Sequence, residues 1–225
     1  MEKFLDVLEK CPLFAGIAPR EMVEILRCLE ARFVVMQKDD CVLQEGETVF
    51  QIGIVLHGVV QLVRTDYYGN RSVVSRAEQG QVFGEAYAFS DAQALPIRVI
   101  AEMDGAVLMI NASGIIACCS NACAFHKTLI HNLLHLVSAE NLMLHERIDI
   151  TSQRTTREKL LAYLLNQAKV QGSDCFSIPF DRQGLADYLE VERSGLSAEI
   201  SKLRKEGILE SEKSYFHLLK STLEV

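Results

Sequence analysis

The chain has no tryptophan, four prolines and no apolar run approaching the ~18 residues that a membrane-spanning helix requires. Its first residues, Met1-Glu2-Lys3-Phe4-Leu5-Asp6, lack the basic start and apolar stretch of a secretion signal. The cytoplasm is therefore the expected compartment, and no membrane partner is expected. An excess of positive charge is also missing, since the formal net charge is −7. A uniformly basic nucleic-acid binder is excluded on that ground, although a local basic face is not. Paired cysteines are not indicated either. Seven Cys at 11, 28, 41, 118, 119, 123 and 175 make an odd number set mostly in apolar patterns. Reduced thiols are expected rather than a secreted disulfide framework. No His-x-His pair with a following Glu occurs and His57 stands alone, so a cupin-like metalloenzyme lacks its ligands and no enzymatic activity is expected.

What is present is a chain of 225 residues, 49% of them apolar, enough for one or two domains with a sizeable core. The charge is unevenly placed. Residues 151–225 hold 11 Lys+Arg and 11 Asp+Glu, whereas residues 1–150 hold 12 and 19. A DNA-binding C-terminal half would need its cations gathered on one face, because phosphate attraction is local and screened by salt.

The texture changes along the chain. Up to about Arg32, Leu5, Leu8, Leu13 and Phe14, then Met22, Ile25, Leu26 and Leu29, recur at helical intervals, and Ala18-Pro19-Arg20-Glu21 marks a helix start. From Phe33 to Ile110, β-rich runs alternate with turns. The runs include Phe33–Val35, Gln51–Leu56, Val59–Val63, Ser72–Val74 and Ala106–Ile110. The turns include Glu45-Gly46-Glu47, His57-Gly58, Tyr68-Gly69-Asn70 and Asp104-Gly105. This spacing predicts a β-barrel or sandwich. From 121 to 148 there is no Gly or Pro, and Phe125, Leu129, Leu133, Leu136, Val137, Met143 and Leu144 form one apolar stripe. It predicts a helix of about 40 Å at ~1.5 Å per residue, long enough to pack on a second copy. Residues 149–155 hold polar, capping-prone side chains and break the stripe. They predict a hinge, with Thr155 or Thr156 capping the next helix and Gly172 ending it.

Ile178 to Leu209 is the most specific stretch. Asp181 can cap a short helix with Leu185, Ala186, Tyr188 and Leu189 inside. Glu190-Val191-Glu192 turns tightly, and a second helix places Leu196, Ile200 and Leu203 on its core side before Gly207. Two short helices around a three- or four-residue turn make a helix-turn-helix. Arg193, Ser194, Ser197 and Lys202 then face away from the core, as side chains that reach base edges and phosphates do, and Arg182 opens the first helix. Residues 208–219 predict two strands around a polar turn, a wing.

In this order of parts the chain resembles the Crp/Fnr family over nearly its whole length. The residues carrying the resemblance are Cys11-Pro12-Leu13-Phe14, Glu45-Gly46-Glu47, His57-Gly58, Phe83-Gly84-Glu85, Arg154 to Leu160, and Asp181 to Leu203. It implies an α+β chain with a jelly-roll-like double-stranded β-roll at residues 1–120, a long dimerisation helix at 121–148, a hinge at 149–155 and a winged helix-turn-helix at 156–225. It implies a transcriptional regulator working as a homodimer on double-stranded DNA, with RNA polymerase and a small-molecule effector as further partners. Gly84, Glu85 and Arg98 are the effector-binding candidates.

Departures from the family pattern limit the expectations. Cyclic-AMP-binding members place Arg and then Ser or Thr about ten residues after the matching Glu, to hold the cyclic phosphate. Here those positions are Leu95 and Pro96, and neither supplies a cation or a donor. Cyclic AMP is not expected as the effector. The N-terminal cysteine cluster of iron–sulfur members is missing, since only Cys11 precedes Cys28. In the second helix, Ala198 stands where many relatives carry Arg, and Ser194 stands where the family carries Glu, so the operator should differ from the family's best-known one. A separate feature is Cys119, Cys123 and His126, at i, i+4 and i+7 if helical, with Cys118 beside them. Two thiols and an imidazole suit a soft metal or a redox switch, or only helix packing. They support an alternative reading as a redox- or metal-responsive module that acts through a protein partner.

Overall fold

A computed structural model describes residues 4–65, 67–68, 71–90, 94–116 and 124–219. They form two compact units, Met1–Ala139 and Glu140–Val225. The first unit opens with α1 (Leu5–Lys10), a 3-10 turn (Pro12–Phe14) and α2 (Pro19–Cys28). Proline suits the first position of α2, where its missing N–H would have no intrahelical partner. The Glu21 carboxylate accepts from the Ala18 N–H at 3.2 Å and closes that end.

Eight strands follow: β1 (Arg32–Met36), β2 (Cys41–Leu43), β3 (Gln51–His57), β4 (Val60–Thr65), β5 (Arg71–Ala77), β6 (Val82–Phe83), β7 (Arg98–Ala101) and β8 (Gly105–Asn111). They make two four-stranded antiparallel sheets, ordered β1-β8-β3-β6 and β2-β7-β4-β5. This is the expected roll. The two-residue period of a strand divides β3 and β8 between two cores. Ile52, Ile54, Leu56, Ala106, Leu108 and Ile110 pack on the N-terminal helices, while Val55, Val107 and Met109 fill the space between the sheets. Burial on both faces explains why Gln51–Leu56 is a continuous apolar run rather than an alternating one. Gly53 is needed here, because an added Cβ would lie 2.0 Å from Cζ of the Phe83 ring.

Two short helices, α3 (Glu85–Ala88) and α4 (Ala112–Ile116), flank the last strands. The long helix α5 runs from Ala124 to Thr151. Its apolar residues do not form one stripe as the sequence suggests. Leu129 and Leu133 are buried in the core of the first unit, whereas Leu134, Val137, Leu142, Met143, Leu144 and Ile148 are exposed. The helix also continues three residues into the segment expected to be the hinge. Ile150 holds it there by packing among Leu160, Leu164 and Leu185 of the second unit. The break is confined to residues 152–155. The Thr151 hydroxyl donates to the Arg147 carbonyl at 2.8 Å, and the Ser152 hydroxyl and Gln153 amide both donate to the Asp149 carbonyl, satisfying the last turn.

The second unit contains α6 (Thr156–Gln171), β9 (Cys175–Ser177), α7 (Arg182–Leu189), α8 (Arg193–Lys205), β10 (Leu209–Glu212) and β11 (Tyr215–Leu218). Thr155 caps α6 in a reciprocal box. Its hydroxyl accepts from the Glu158 N–H at 3.1 Å, and Glu158 accepts from the Thr155 N–H at 3.0 Å. Gly172 ends α6 at φ +62°. The strands form one antiparallel sheet ordered β10-β11-β9. The hairpin was legible in the sequence. The third strand is three residues long and showed no pattern.

Candidate functional site

Asp181 fixes the start of α7 by accepting from the Gly184 N–H at 2.7 Å. The turn to α8 passes through Glu190 at φ +54°, and the Val191 N–H closes on the Ala186 carbonyl. Leu196, Ile200 and Leu203 are then buried with Leu185 and Leu189, so the rotation of α8 is set by its apolar side. Arg193, Ser194 and Lys202 are left exposed and Ser197 half-buried on the remaining surface.

Electrostatics sharpen this face. The two acids of α8 and its end, Glu199 and Glu206, are both taken up by Arg157 of α6, at 3.3 and 2.6 Å. The Glu206 carboxyl is held below its ordinary range, chiefly by that hydrogen bond, and the Arg157 guanidinium is raised by the same contact. Arg193, Lys202, Arg204 and Lys205 therefore dominate the charge of α8. Arg182 lies with its guanidinium 5.8 Å from the Phe216 ring centre and donates to the Lys213 carbonyl at 3.4 Å. Its guanidinium is lowered, first by burial and then by the charge of Arg193. Two cations that repel each other gain when an anion settles between them. Lys213 adds a third cation at the wing turn, at φ +52°. The sequence did not single it out, although a lysine in the polar turn of a wing was a signal that could have done so.

Residues 33–122 match the family model for the cyclic nucleotide-binding domain, and residues 158–221 match that for the Crp-like helix-turn-helix domain. The chain belongs to the Crp/Fnr family. It is a Crp-like transcription regulator with a sensor domain and a helix-turn-helix DNA-binding domain, in a family of regulators rather than enzymes. Solved structures share this fold. The c-di-GMP responsive global regulator CLP of Xanthomonas campestris is 13% identical, with 88% of this chain and 98% of that chain covered and a TM-score of 0.58. A cyclic nucleotide-binding domain from Methylobacillus flagellatus is 17% identical, with 65% and 81% covered and a TM-score of 0.54. The sensor domain of the regulator DNR from Pseudomonas aeruginosa is 18% identical, with 66% and 93% covered and a TM-score of 0.51. No curated protein matches the chain in sequence. Among the described residues no helix is long and apolar enough to cross a membrane.

The sensor of this Crp/Fnr protein carries the expected Gly84-Glu85 corner. Gly84 adopts φ +84° and Glu85 begins α3. Glu85 is 8% exposed, and its Oε2 has no hydrogen-bond partner among the described residues. Arg98, at the start of β7 opposite Val63, also leaves its buried Nε without a partner among the described residues. Leu95 is 3% exposed and packs inside the roll, with its N–H bonded to the Glu47 carbonyl and its own carbonyl to the Gly46 N–H. An apolar side chain thus fills the position where the family pattern expects the phosphate-binding Arg, and Pro96 beside it is exposed.

Cys119 and Cys123 lie outside the described residues. His126 is described: it is 4% exposed, with Nε2 3.1 Å from the Gly114 carbonyl oxygen and 3.7 Å from the Cys28 sulfur. The described residues contain no group of three His, Cys, Asp or Glu placed to hold a metal.

The phosphate roles give a direct expectation. Lys213→Ala and Arg182→Ala should each weaken binding to all sequences alike and reduce the slope of log K against log salt by about one per half-site. DNA binding titrated at several salt concentrations reads the slope. An unchanged slope removes that residue from the backbone contacts.

Proposed function

We propose that this regulator acts as a homodimer that reads two half-sites about one DNA turn apart, ~34–36 Å centre to centre, through α8 of each copy. The carrying observation is the exposed face of Arg193, Ser194, Ser197 and Lys202, from which Arg157 withdraws the acids. Arg193 is the base-reading residue, as a bidentate donor to a guanine edge. Ser194 and Ser197 donate to a base or phosphate. Lys202, Arg182 and Lys213 meet the backbone.

The second copy packs along α5. Ile130, Leu134, Val137, Asn141, Leu144 and Ile148 recur at alternating intervals of four and three, the spacing of a coiled-coil seam. Leu134, Val137, Leu144 and Ile148 are exposed in the single chain. Asn141 is the one polar member, a device that fixes register and strand number. Residues 1–120 serve as the sensor, the helix to Thr151 as the dimer element, residues 152–155 as the hinge and residues 156–225 as the DNA reader. RNA polymerase is the partner of an activating form.

The effector is a small molecule that brings a hydrogen-bond donor to Glu85 Oε2 and an acceptor to Arg98 Nε, beside Gly84. Leu95 argues against cyclic AMP, because a buried phosphate without its cation is strongly disfavoured. Selection from a random duplex pool tests the whole reading. It should enrich an inverted repeat with about one helical turn between half-site centres. Enrichment of single half-sites would refute the dimer, and no enrichment at low salt would refute the recognition-helix assignment.

A further inference from the structure

The junction of α2, α4 and α5 holds a feature that neither the DNA face nor the Glu85 corner uses. Cys28 ends α2, Gly114 lies in α4, and His126 lies in the first turn of α5. Cys28 and His126 lie 98 positions apart in the chain, and no local pattern pairs them. A carbonyl oxygen only accepts. With the Gly114 oxygen at 3.1 Å, the His126 Nε2 therefore carries hydrogen. That hydrogen is directed at the Gly114 oxygen, and the Cys28 sulfur lies 3.7 Å from the same nitrogen. An imidazole N–H edge beside the sulfur marks Cys28 out for thiol chemistry. A ring nitrogen that keeps its hydrogen is not a metal ligand, so this geometry supports thiol chemistry over coordination by that atom.

Other thiols of the same unit are placed differently. Burial pushes the Cys11 thiol up to about 11. Burial pushes the Cys41 thiol up as well, and its sulfur lies 3.3 Å from the Leu43 carbonyl and 3.0 Å from Gln44 Oε1. Cys28 is half-buried, whereas Cys11 is fully buried.

We infer that Cys28 is an oxidant-sensing thiol of the sensor unit, with His126 as the positioning residue that presents it to a hydroperoxide. This deepens the regulator reading and rests on it, since it names the class of signal that reaches the DNA reader. The sulfur attacks one peroxide oxygen. The S–O bond forms as the O–O bond breaks, and two electrons pass from sulfur to the peroxide. The leaving oxygen takes up the proton that the thiol released. Thiol plus hydroperoxide thus gives sulfenic acid plus water or an alcohol.

A Cβ on Gly114 would lie in ordinary contact, 3.4 Å from Leu29 Cδ2 and 3.6 Å from the Cys28 carbonyl oxygen, so α4 packs directly on the end of α2. Close-packed junctions give way by discrete shifts rather than by compression. His126, next to the sulfur, belongs to the helix that carries the proposed dimer seam.

The experiment uses full-length protein purified anaerobically and treated with stoichiometric hydrogen peroxide. Sulfenic acid is trapped with dimedone and mapped by mass spectrometry, and operator binding is measured in parallel. Cys28 should be modified at least ~10-fold faster than Cys11 or Cys41, and His126→Phe should remove most of that difference. A disulfide formed by Cys28 with Cys118, Cys119 or Cys123 counts as modification of Cys28. Oxidation should weaken operator binding by about 5-fold or more, at the low end of allosteric couplings, and Cys28→Ser should abolish the response while keeping the reduced affinity. His126→Gln, which retains an N–H donor, should preserve the reactivity if the donor matters and the fold does not change. Equal labelling of all thiols overturns the inference, as does an unaltered peroxide response in Cys28→Ser. If the reduced protein enriches no DNA, the regulator reading fails, while the thiol map still reports on Cys28.

Discussion

Leu144→Asp combined with Ile148→Asp is expected to leave the chain folded and make it monomeric. These side chains are 58% and 59% exposed in the single chain, so neither unit depends on them for its own core. In a paired helix they face their counterparts. Two carboxylates per copy would then be buried against like charge, which costs several kcal/mol per ion even after relaxation. Operator affinity should fall by about 10²- to 10⁴-fold, the factor contributed by linking two half-site contacts. Light scattering reads the mass, circular dichroism the retained helix, and a binding titration the affinity. A dimer of unchanged stability would show that the seam lies elsewhere on the molecule. Asn141→Leu is the complementary change. It should tighten association while loosening the choice of register, because the polar seam position trades stability for specificity.

Arg193→Ala should cost about 1–3 kcal/mol for each half-site and relax the preference at one base pair in each. Both copies carry the change. On a symmetric operator the loss therefore approaches about 2–6 kcal/mol, or more than tenfold at the lower bound, given additivity between separated positions. Arg193→Lys should recover little of the preference, because an ammonium lacks the fork that meets two acceptors on guanine. The signature is positional: operators altered at that base pair should lose less with the variant than with the parent protein. If the variant binds the parent operator unchanged, α8 does not read bases through Arg193. Lys213→Ala makes the contrast, since a backbone contact lowers affinity for every sequence equally.

Much of the DNA reader was legible because its signals are local. Asp181, Glu190, Gly207 and the spacing of Leu196, Ile200 and Leu203 define two helices and a turn without any distant contact. Arg193 and Lys202 then fall outward by periodicity alone. The balance of charge on that face was not legible. Glu199 and Glu206 look like part of a mixed surface until Arg157, 42 and 49 positions earlier, is found against both. The same holds for the Arg182 and Arg193 pair, whose mutual repulsion exists only once α7 and α8 are packed.

The β-roll shows the same division. Strand runs with strong alternation or continuous burial were visible, whereas β2, β6 and β7 are two to four residues long and acquire their conformation by pairing with β7, β3 and β4. Leu95 and Pro96 could be seen in sequence at the positions where the family pattern expects the phosphate-binding pair. That Glu85 and Arg98 keep buried polar atoms without partners among the described residues is a property of packing, since burial is decided by neighbours distant in the chain.

The long helix divides the two kinds of information most clearly. The sequence by itself determined that residues from Ala124 onward form an uninterrupted helix, because nothing in them breaks it and apolar residues recur at its period. It also determined the two-domain order, the hairpin wing and the absence of the family's phosphate-binding pair. Only the tertiary structure decided which apolar residues serve which purpose. Leu129 and Leu133 are taken up by the sensor core and Ile150 by the DNA-reading unit, and the set around Leu144 is left exposed. It alone brought Cys28 to His126. Helical periodicity comes from the backbone and can be counted along a single chain, but the partner of each face is fixed by elements that fold back from elsewhere.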